Sequence, residues 1–231
     1  MYILGISGHQ FDAASALIKD GRVIAAIEEE KLLRVKRIGI SQCGGLPYEA
    51  IGYCLESAGV GFEDIDYVTY YVKPRRLLNR QSKFQEQFIP ENSAVAEDHK
   101  AASVNEYHDR LKTLNLIRRL SGQRSRVIAV DHQLAHAASS FYLSGFDRAA
   151  ILALSGKGDY VTIAAGVGAG RKISLLRRVE FPHSLGWVYS LVSEYLGFRA
   201  NGGEHNTQWL SLDGEPEFLP AFQDMLKIDA A

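Results

Sequence analysis

Two stretches of this chain follow one plan: Leu4-Gly5-Ile6-Ser7-Gly8 with Asp12 after it, and Leu152-Ala153-Leu154-Ser155-Gly156 with Asp159 after it, 148 positions along. Each is an apolar run closed by glycine and followed by a further pair of apolar runs. In the first copy Ser15 to Ile18 and Val23 to Ile27 flank Lys19-Asp20-Gly21-Arg22. Asp-Gly between apolar runs is a strong hairpin signal, because both residues tolerate the backbone that a two-residue turn needs. In the second copy Val161 to Val167 turns at Gly168-Ala169-Gly170-Arg171 into Ile173 to Val179. Two hairpin units of the same plan predict a duplicated α/β architecture whose second copy starts near residue 149.

Outward from these units, Ala50, Ile51, Tyr53, Cys54, Leu55 and Ala58 recur at helical spacing, and Gly59 supplies a stop. A helix is expected from Tyr48 to Ala58. Ile65 to Val72 is β-branched and aromatic, as a strand should be, and Pro74 ends it. From Arg75 to Gln123 the chain turns polar and charged, with Leu111, Leu114, Ile117 and Leu120 spaced for an amphipathic helix. This stretch reads as a helical insertion, at about 75–123, in a first lobe of residues 1–148. A strand from Arg126 to Val130 leads into Asp131-His132-Gln133-Leu134-Ala135-His136-Ala137-Ala138, whose small and apolar residues favour helix. Pro182 to Phe198 supplies one more helix; beyond it the sequence is irregular, leaving 149–231 as an incomplete second lobe.

The composition narrows the class. The 231 residues, 46% hydrophobic and 23% charged, are ample for a buried core. With 26 basic and 27 acidic side chains the net charge is −1, giving no electrostatic reason to expect nucleic acid or an anionic membrane. No apolar run approaches the roughly 18 residues of a membrane span. Cys43 and Cys54 are the only cysteines, without disulfide-framework or zinc-knuckle spacing, and a reducing cytoplasmic setting is expected.

His132 and His136, four residues apart on a helix, share one face within reach of a single metal ion. They also read as two ordinary histidines at a helix start. Asp159, Glu204 and His205 are candidates for a third ligand, and Asp131 for either a ligand or the helix cap. His9 and Asp12 follow a strand end, where loops commonly hold catalytic groups, and His9 titrates near neutrality. The alternative is a plain turn, with Asp12 satisfying backbone amides and His9 exposed. Ser155, Gly156 and Gly158 form a short loop that permits close backbone approach to a phosphate, although no P-loop or dinucleotide fingerprint is present and hairpin turns explain the glycines equally. Glu28-Glu29-Glu30-Lys31, with Arg34, Lys36 and Arg37, reads as a solvated strand end or helix start. Asn201-Gly202-Gly203-Glu204-His205 reads as an active-site loop or a connector.

Five features taken in order resemble the nodulation-protein and antibiotic-tailoring O-carbamoyltransferase family. They are Ile3 to Ser7 with Asp12-Ala13-Ala14-Ser15-Ala16-Leu17; Glu28-Glu29-Glu30-Lys31 with Arg34; His132-Gln133-Leu134-Ala135-His136-Ala137; Ser140-Phe141-Tyr142 through Gly145-Phe146; and Phe181-Pro182-His183-Ser184-Leu185-Gly186 with Tyr195-Leu196-Gly197-Phe198. The resemblance implies an α/β fold of the actin, sugar-kinase and heat-shock ATPase superfamily, a ribonuclease-H-like lobe facing a second across a nucleotide cleft. It implies that carbamoyl phosphate and ATP yield carbamoyl-adenylate in a separate domain, and that the carbamoyl group then passes to a hydroxyl of a small-molecule acceptor. It further implies a divalent metal, iron or manganese or magnesium, held in part by His132 and His136, with a base near His9 or Asp12.

Three departures qualify this. Ser155-Gly156 stands where the family has Asp-Gly, and a neutral hydroxyl is a poorer ligand for a hard cation than a carboxylate. Phe11, not histidine, precedes Asp12. The segment from Asn206 to Pro216 follows the family pattern only loosely. Three readings therefore stand: a transferase portion that needs a second polypeptide, a degenerate homologue binding nucleotide, metal or protein, or an enzyme active by itself.

Overall fold

A computed structural model describes residues 1–122, 125–199 and 202–226. Gln123 and Asn201, which bound two of the segments singled out above, lie outside the described residues. In chain order the elements are β1 (Tyr2–Ser7), β2 (Ala14–Lys19), β3 (Arg22–Glu28), α1 (Glu29–Leu33), α2 (Tyr48–Ala58), β4 (Tyr67–Tyr70), α3 (Pro74–Phe88), α4 (Ala94–Ser121), β5 (Arg126–Ala129), α5 (His132–Phe141), β6 (Arg148–Leu154), β7 (Val161–Ala169), β8 (Lys172–Glu180), α6 (Leu185–Tyr195), α7 (Glu204–Leu210) and α8 (Leu219–Met225).

The first sheet runs β3-β2-β1-β4-β5, with β2 antiparallel to both neighbours and β1, β4 and β5 parallel. This is the ribonuclease-H-like order, so the expected α/β fold class is realised. Leu4 and Ile6 of β1, Leu17 of β2 and Val68 and Tyr70 of β4 alternate inward and meet Ile51 and Cys54 of α2 and Leu114 and Ile117 of α4 in one core. The second sheet is the antiparallel order β6-β7-β8, whose β6 corresponds to β1 in the repeat. The two sheets are joined by α5, which follows β5 of the first and packs Ala137 and Phe141 onto Ile151 of the second. The opposite face of β6 leaves Leu152 65% and Leu154 59% exposed.

The α2 helix begins and ends where its sequence pattern says, its last turn closed by the Gly59 amide. Its start is secured by Glu29, whose carboxylate accepts from the amides of Glu49 (3.2 Å) and Ala50 (2.7 Å). That corrects the reading of the Glu28–Lys31 run as solvated: Glu29 is fully buried because an acid is worth most against the unpaired amides of a helix start. The strand expected over Ile65 to Val72 is confined to Tyr67–Tyr70, since both neighbours pair with only those four residues. Tyr71 and Val72 leave the ladder before α3. In the irregular tail the short helices α7 and α8 form. No helix among the described residues is long and apolar enough to cross a membrane, and both cysteines are free.

Candidate functional site

The C-terminal ends of the parallel strands β1, β4 and β5 lie side by side, the position where α/β sheets commonly bind ligands. The residues delivered there are His9 two positions past β1, Tyr71 one past β4, and Asp131 and His132 just past β5. His132 and His136 are one turn apart on α5, and their Nε2 atoms converge to 3.1 Å. Two ligands bonded to one ion at about 2.0–2.1 Å are separated by roughly 3 Å, so this spacing suits a shared metal. Burial, then the charges of His136 and Arg110, lower the His132 pKa to about 4, and burial lowers that of His136. Both rings are therefore neutral at pH 7, the form that ligates.

The rest of a metal site is thinner. Among the described residues no group of three or more His, Cys, Asp or Glu side chains is placed to hold a metal. Of the candidate third ligands, Glu204 accepts from Ser190 Oγ at 2.6 Å, His205 is exposed, and Asp131 binds Arg76 (3.2 Å) and Arg80 (3.7 Å). The buried Nδ1 of His132 has no partner among the described residues, whereas metal-bound histidines generally anchor that nitrogen. The pair thus has the spacing of two metal ligands, with no third among the described residues.

His9 and Asp12 part company. His9 is 5% exposed; its amide donates to Tyr71 Oη (3.0 Å) and its Nδ1 lies 3.5 Å from Tyr70 Oη. Burial, reinforced by Arg110, lowers its pKa to about 4. Asp12 takes a left-handed backbone (φ 56°) that turns it outward to Arg37, 3.4 Å away. One loop therefore brings a neutral imidazole inward and an exposed carboxylate outward.

The insertion contributes the residues the sequence reading missed. Arg110 of α4 is 6% exposed, donates to Glu106 Oε1 (2.6 and 3.2 Å) and reaches Tyr71 Oη at 3.1 Å. Gln81 of α3 donates to the other oxygen of Glu106 at 2.7 Å. Burial works to raise the Glu106 pKa, but Arg110 and these hydrogen bonds prevail and hold it below the usual carboxylate range. Arg80 donates to the Asp159 carbonyl at 3.0 Å. Asp159 itself is 4% exposed, and burial, with Asp131 and Glu106 adding to it against Arg110 and Arg80, raises its pKa to about 7. The signal for Arg110 was present: Glu106, Arg110, Leu114, Ile117 and Ser121 recur at three- and four-residue steps, so the arginine belongs to the inward stripe of α4.

The Ser155-Gly156-Gly158 loop is occupied by the protein's own backbone. Ser155 Oγ accepts from Gln133 Nε2 at 3.2 Å, and a Cβ on Gly186 would stand 3.0 Å from Gly156 Cα. Gly158 has φ 51°, and a Cβ there would come within 2.7 Å of the Val161 carbonyl. The close approach accounts for Gly158, whereas a Cβ on Gly156 would meet nothing within 4 Å.

The comparisons with known proteins bear on the whole chain. The sequence family described as "Carbamoyltransferase N-terminus" matches residues 2–230. The uncharacterized Synechocystis protein sll1178 is 33% identical over 97% of this chain and 37% of its own length. The nodulation protein NolNO of Sinorhizobium fredii is 33% identical over 89% of this chain and 28% of its own length. The chain thus spans about a third of these two relatives. Among solved structures, YeaZ from Pseudomonas aeruginosa covers 79% of this chain with 69% of its own, at 14% identity and a TM-score of 0.43.

Proposed function

The chain belongs to the carbamoyltransferase N-terminus family, and from that premise we propose that it transfers a carbamoyl group from carbamoyl-adenylate to a hydroxyl of a small-molecule acceptor. The carrying observation is that neutral His9 and the converging His132 and His136 pair are linked through Tyr71 at the ends of the parallel strands, the His9 amide on its hydroxyl and the His132 ring against its ring. Carbamoyl phosphate and ATP would be consumed in making the adenylate, in a part of the protein or a partner polypeptide beyond these residues. The setting is cytoplasmic, in keeping with two free thiols.

In this reading the acceptor oxygen forms a bond to the carbamoyl carbon, the bond from that carbon to the adenylate phosphate oxygen breaks, and AMP leaves with the electron pair. The acceptor proton passes to His9. In the tautomer that carries its proton on Nδ1, facing Tyr70 Oη at 3.5 Å, Nε2 is the free base, and it has no hydrogen-bond partner among the described residues. Asp12, exposed and paired with Arg37, is the weaker candidate for base. A divalent ion held by His132 and His136 would supply Lewis-acid polarisation of a phosphoryl or carbonyl oxygen. Burial keeps both rings in the ligating form without a change of proton state.

The test is transfer of labelled carbamoyl from carbamoyl phosphate, with ATP, to a panel of hydroxyl acceptors. The full chain is assayed alone and with the product of the downstream reading frame. Labelled product and AMP are expected, and His132→Ala or His136→Ala should abolish them; no transfer in either arrangement sinks the proposal. A second reading, a non-catalytic module binding nucleotide or metal, is favoured by Ser155 and by the missing third ligand among the described residues. It predicts a rise in melting temperature with Mn(II) and ATP that the two alanine variants lose, without turnover.

A further inference from the structure

The Tyr71 phenol is fixed by two groups that can only donate. The His9 backbone amide reaches Oη at 3.0 Å and Arg110 Nη1 reaches it at 3.1 Å. Neither an amide N–H nor a guanidinium has a lone pair to offer, so Oη accepts from both. Its own proton is left over, and it meets no acceptor among the described residues. The arrangement is stiff. Arg110 is buried and held by Glu106, which Gln81 holds in turn. The Tyr71 ring rests against the His132 ring, with centroids 5.6 Å apart. Tyr71 stands one residue past β4, at the strand ends, partly buried with its ring against the first core.

A phenol that accepts from a cation and an amide is polarised toward donation, because each bond draws charge from the oxygen and the bonds reinforce one another. Donors fixed in this way, aimed at oxygens that carry or develop negative charge, are the means by which sites for acyl and phosphoryl groups stabilise them. We propose that Tyr71 donates its hydroxyl proton, as a hydrogen bond without transfer, to an oxygen of the bound carbamoyl donor, with Arg110 as the positioning residue that orients the phenol. This rests on the carbamoyl-transfer reading for the identity of the ligand. The oxygen belongs either to the carbamoyl carbonyl or to the phosphate, and two probes tell these apart.

The full chain, labelled with carbon-13 at the tyrosine Cζ, is titrated separately with carbamoyl phosphate and with AMP. The Tyr71 resonance is identified by its loss in Tyr71→Phe, or by correlation to its own backbone amide if that variant does not fold. Saturable displacement of this resonance by carbamoyl phosphate is expected, together with about tenfold weaker binding by Tyr71→Phe, a variant that keeps the ring against His132. Displacement by AMP as well would assign the oxygen to the phosphate; displacement by carbamoyl phosphate alone would assign it to the carbonyl. An unmoved resonance while either probe binds, or no binding of either probe, overturns the proposal. A displaced resonance in a protein that transfers no carbamoyl group would leave Tyr71 as a ligand donor and remove the transfer reading instead. Arg110→Lys keeps the charge but not the planar fork, and should reduce the displacement while Tyr71 remains in place.

Discussion

The loops after β1 and β6 occupy corresponding places in the repeated hairpin and deliver opposite chemistry. The first turns a histidine inward and an aspartate outward; the second turns Asp159 inward, beside a serine. Burial drives both inward groups to their neutral forms, and it does so in opposite directions on the pH scale. His9 falls from 6.5 to about 4, while Asp159 rises from 3.8 to about 7. Near neutrality the first loop therefore holds a base already deprotonated and the second an acid still half protonated. Arg110 supplies a common element, adding to the His9 shift and opposing the Asp159 shift. The repeat pairs Asp12 with Asp159, and the two carboxylates face opposite ways, the first exposed and the second buried.

The largest perturbation of this contrast is removal of the shared cation. Arg110→Met leaves the partly buried Glu106 with only Gln81 and Tyr71 without its anchor, and should cost about 3 kcal/mol in urea unfolding. Combining it with Glu106→Gln should return much of that loss, because the uncompensated charge is then gone. A loss under about 1 kcal/mol would mean that the ion pair is solvated and holds nothing at the strand ends.

Next in size is Asp159→Asn. The folded chain holds the Asp159 proton more tightly than the unfolded chain. The stabilising contribution is therefore whole below about pH 4 and is lost as pH rises through about 7. Against the wild type, the asparagine variant should gain about 3 kcal/mol between about pH 4 and about pH 8, read from unfolding midpoints along the series. His9→Asn tests the other loop with the opposite sign. There the unfolded chain takes a proton that the folded chain refuses, so stability is whole above about pH 6.5 and is lost as pH falls toward about 4. Relative to wild type, His9→Asn should gain about 2 kcal/mol on going from about pH 7 to about pH 4.5. Parallel rather than opposed slopes for the two variants would end the comparison.

The sequence carried the frame of this arrangement further than its centre. Asp20-Gly21 marked the first hairpin, Gly59 the end of α2, and the spacing of His132 and His136 their common face, because each is a local signal read over a few residues. The outward turn of Asp12 depends on a left-handed backbone in a residue other than glycine, which composition does not announce. Arg110 escaped because a charged residue on an amphipathic helix is ordinarily solvated. Its burial follows from Tyr71 and Glu106, distant in sequence or hidden on the same stripe. The leucine spacing placed Leu120 on the inward face, yet it is exposed, and the buried stripe runs through Arg110, Thr113, Leu114 and Ile117. The three-residue leucine spacing drifts off the helical period, and the stripe at mixed three- and four-residue steps is the one that is buried.

The smallest test concerns how each hairpin is tied to the helix near it. In the first copy Glu29 reaches two amides at the start of α2; in the second, Ser184 caps α6 by accepting from the Trp187 amide at 3.0 Å while donating to the Gly156 carbonyl. The first tie is a buried carboxylate and the second a hydroxyl that bridges a helix start to the Ser155-Gly156 loop. Ser184→Ala should cost about 1 kcal/mol, the usual value of a lost cap, and Ser184→Thr should restore most of it. Since the same hydroxyl also holds the loop that precedes Asp159, the alanine variant should increase amide exchange from Gly156 to Gly158 while leaving the His9 loop unchanged. Equal loosening of both loops would mean that the second hairpin is held through the α3–α4 insertion rather than through its own helix.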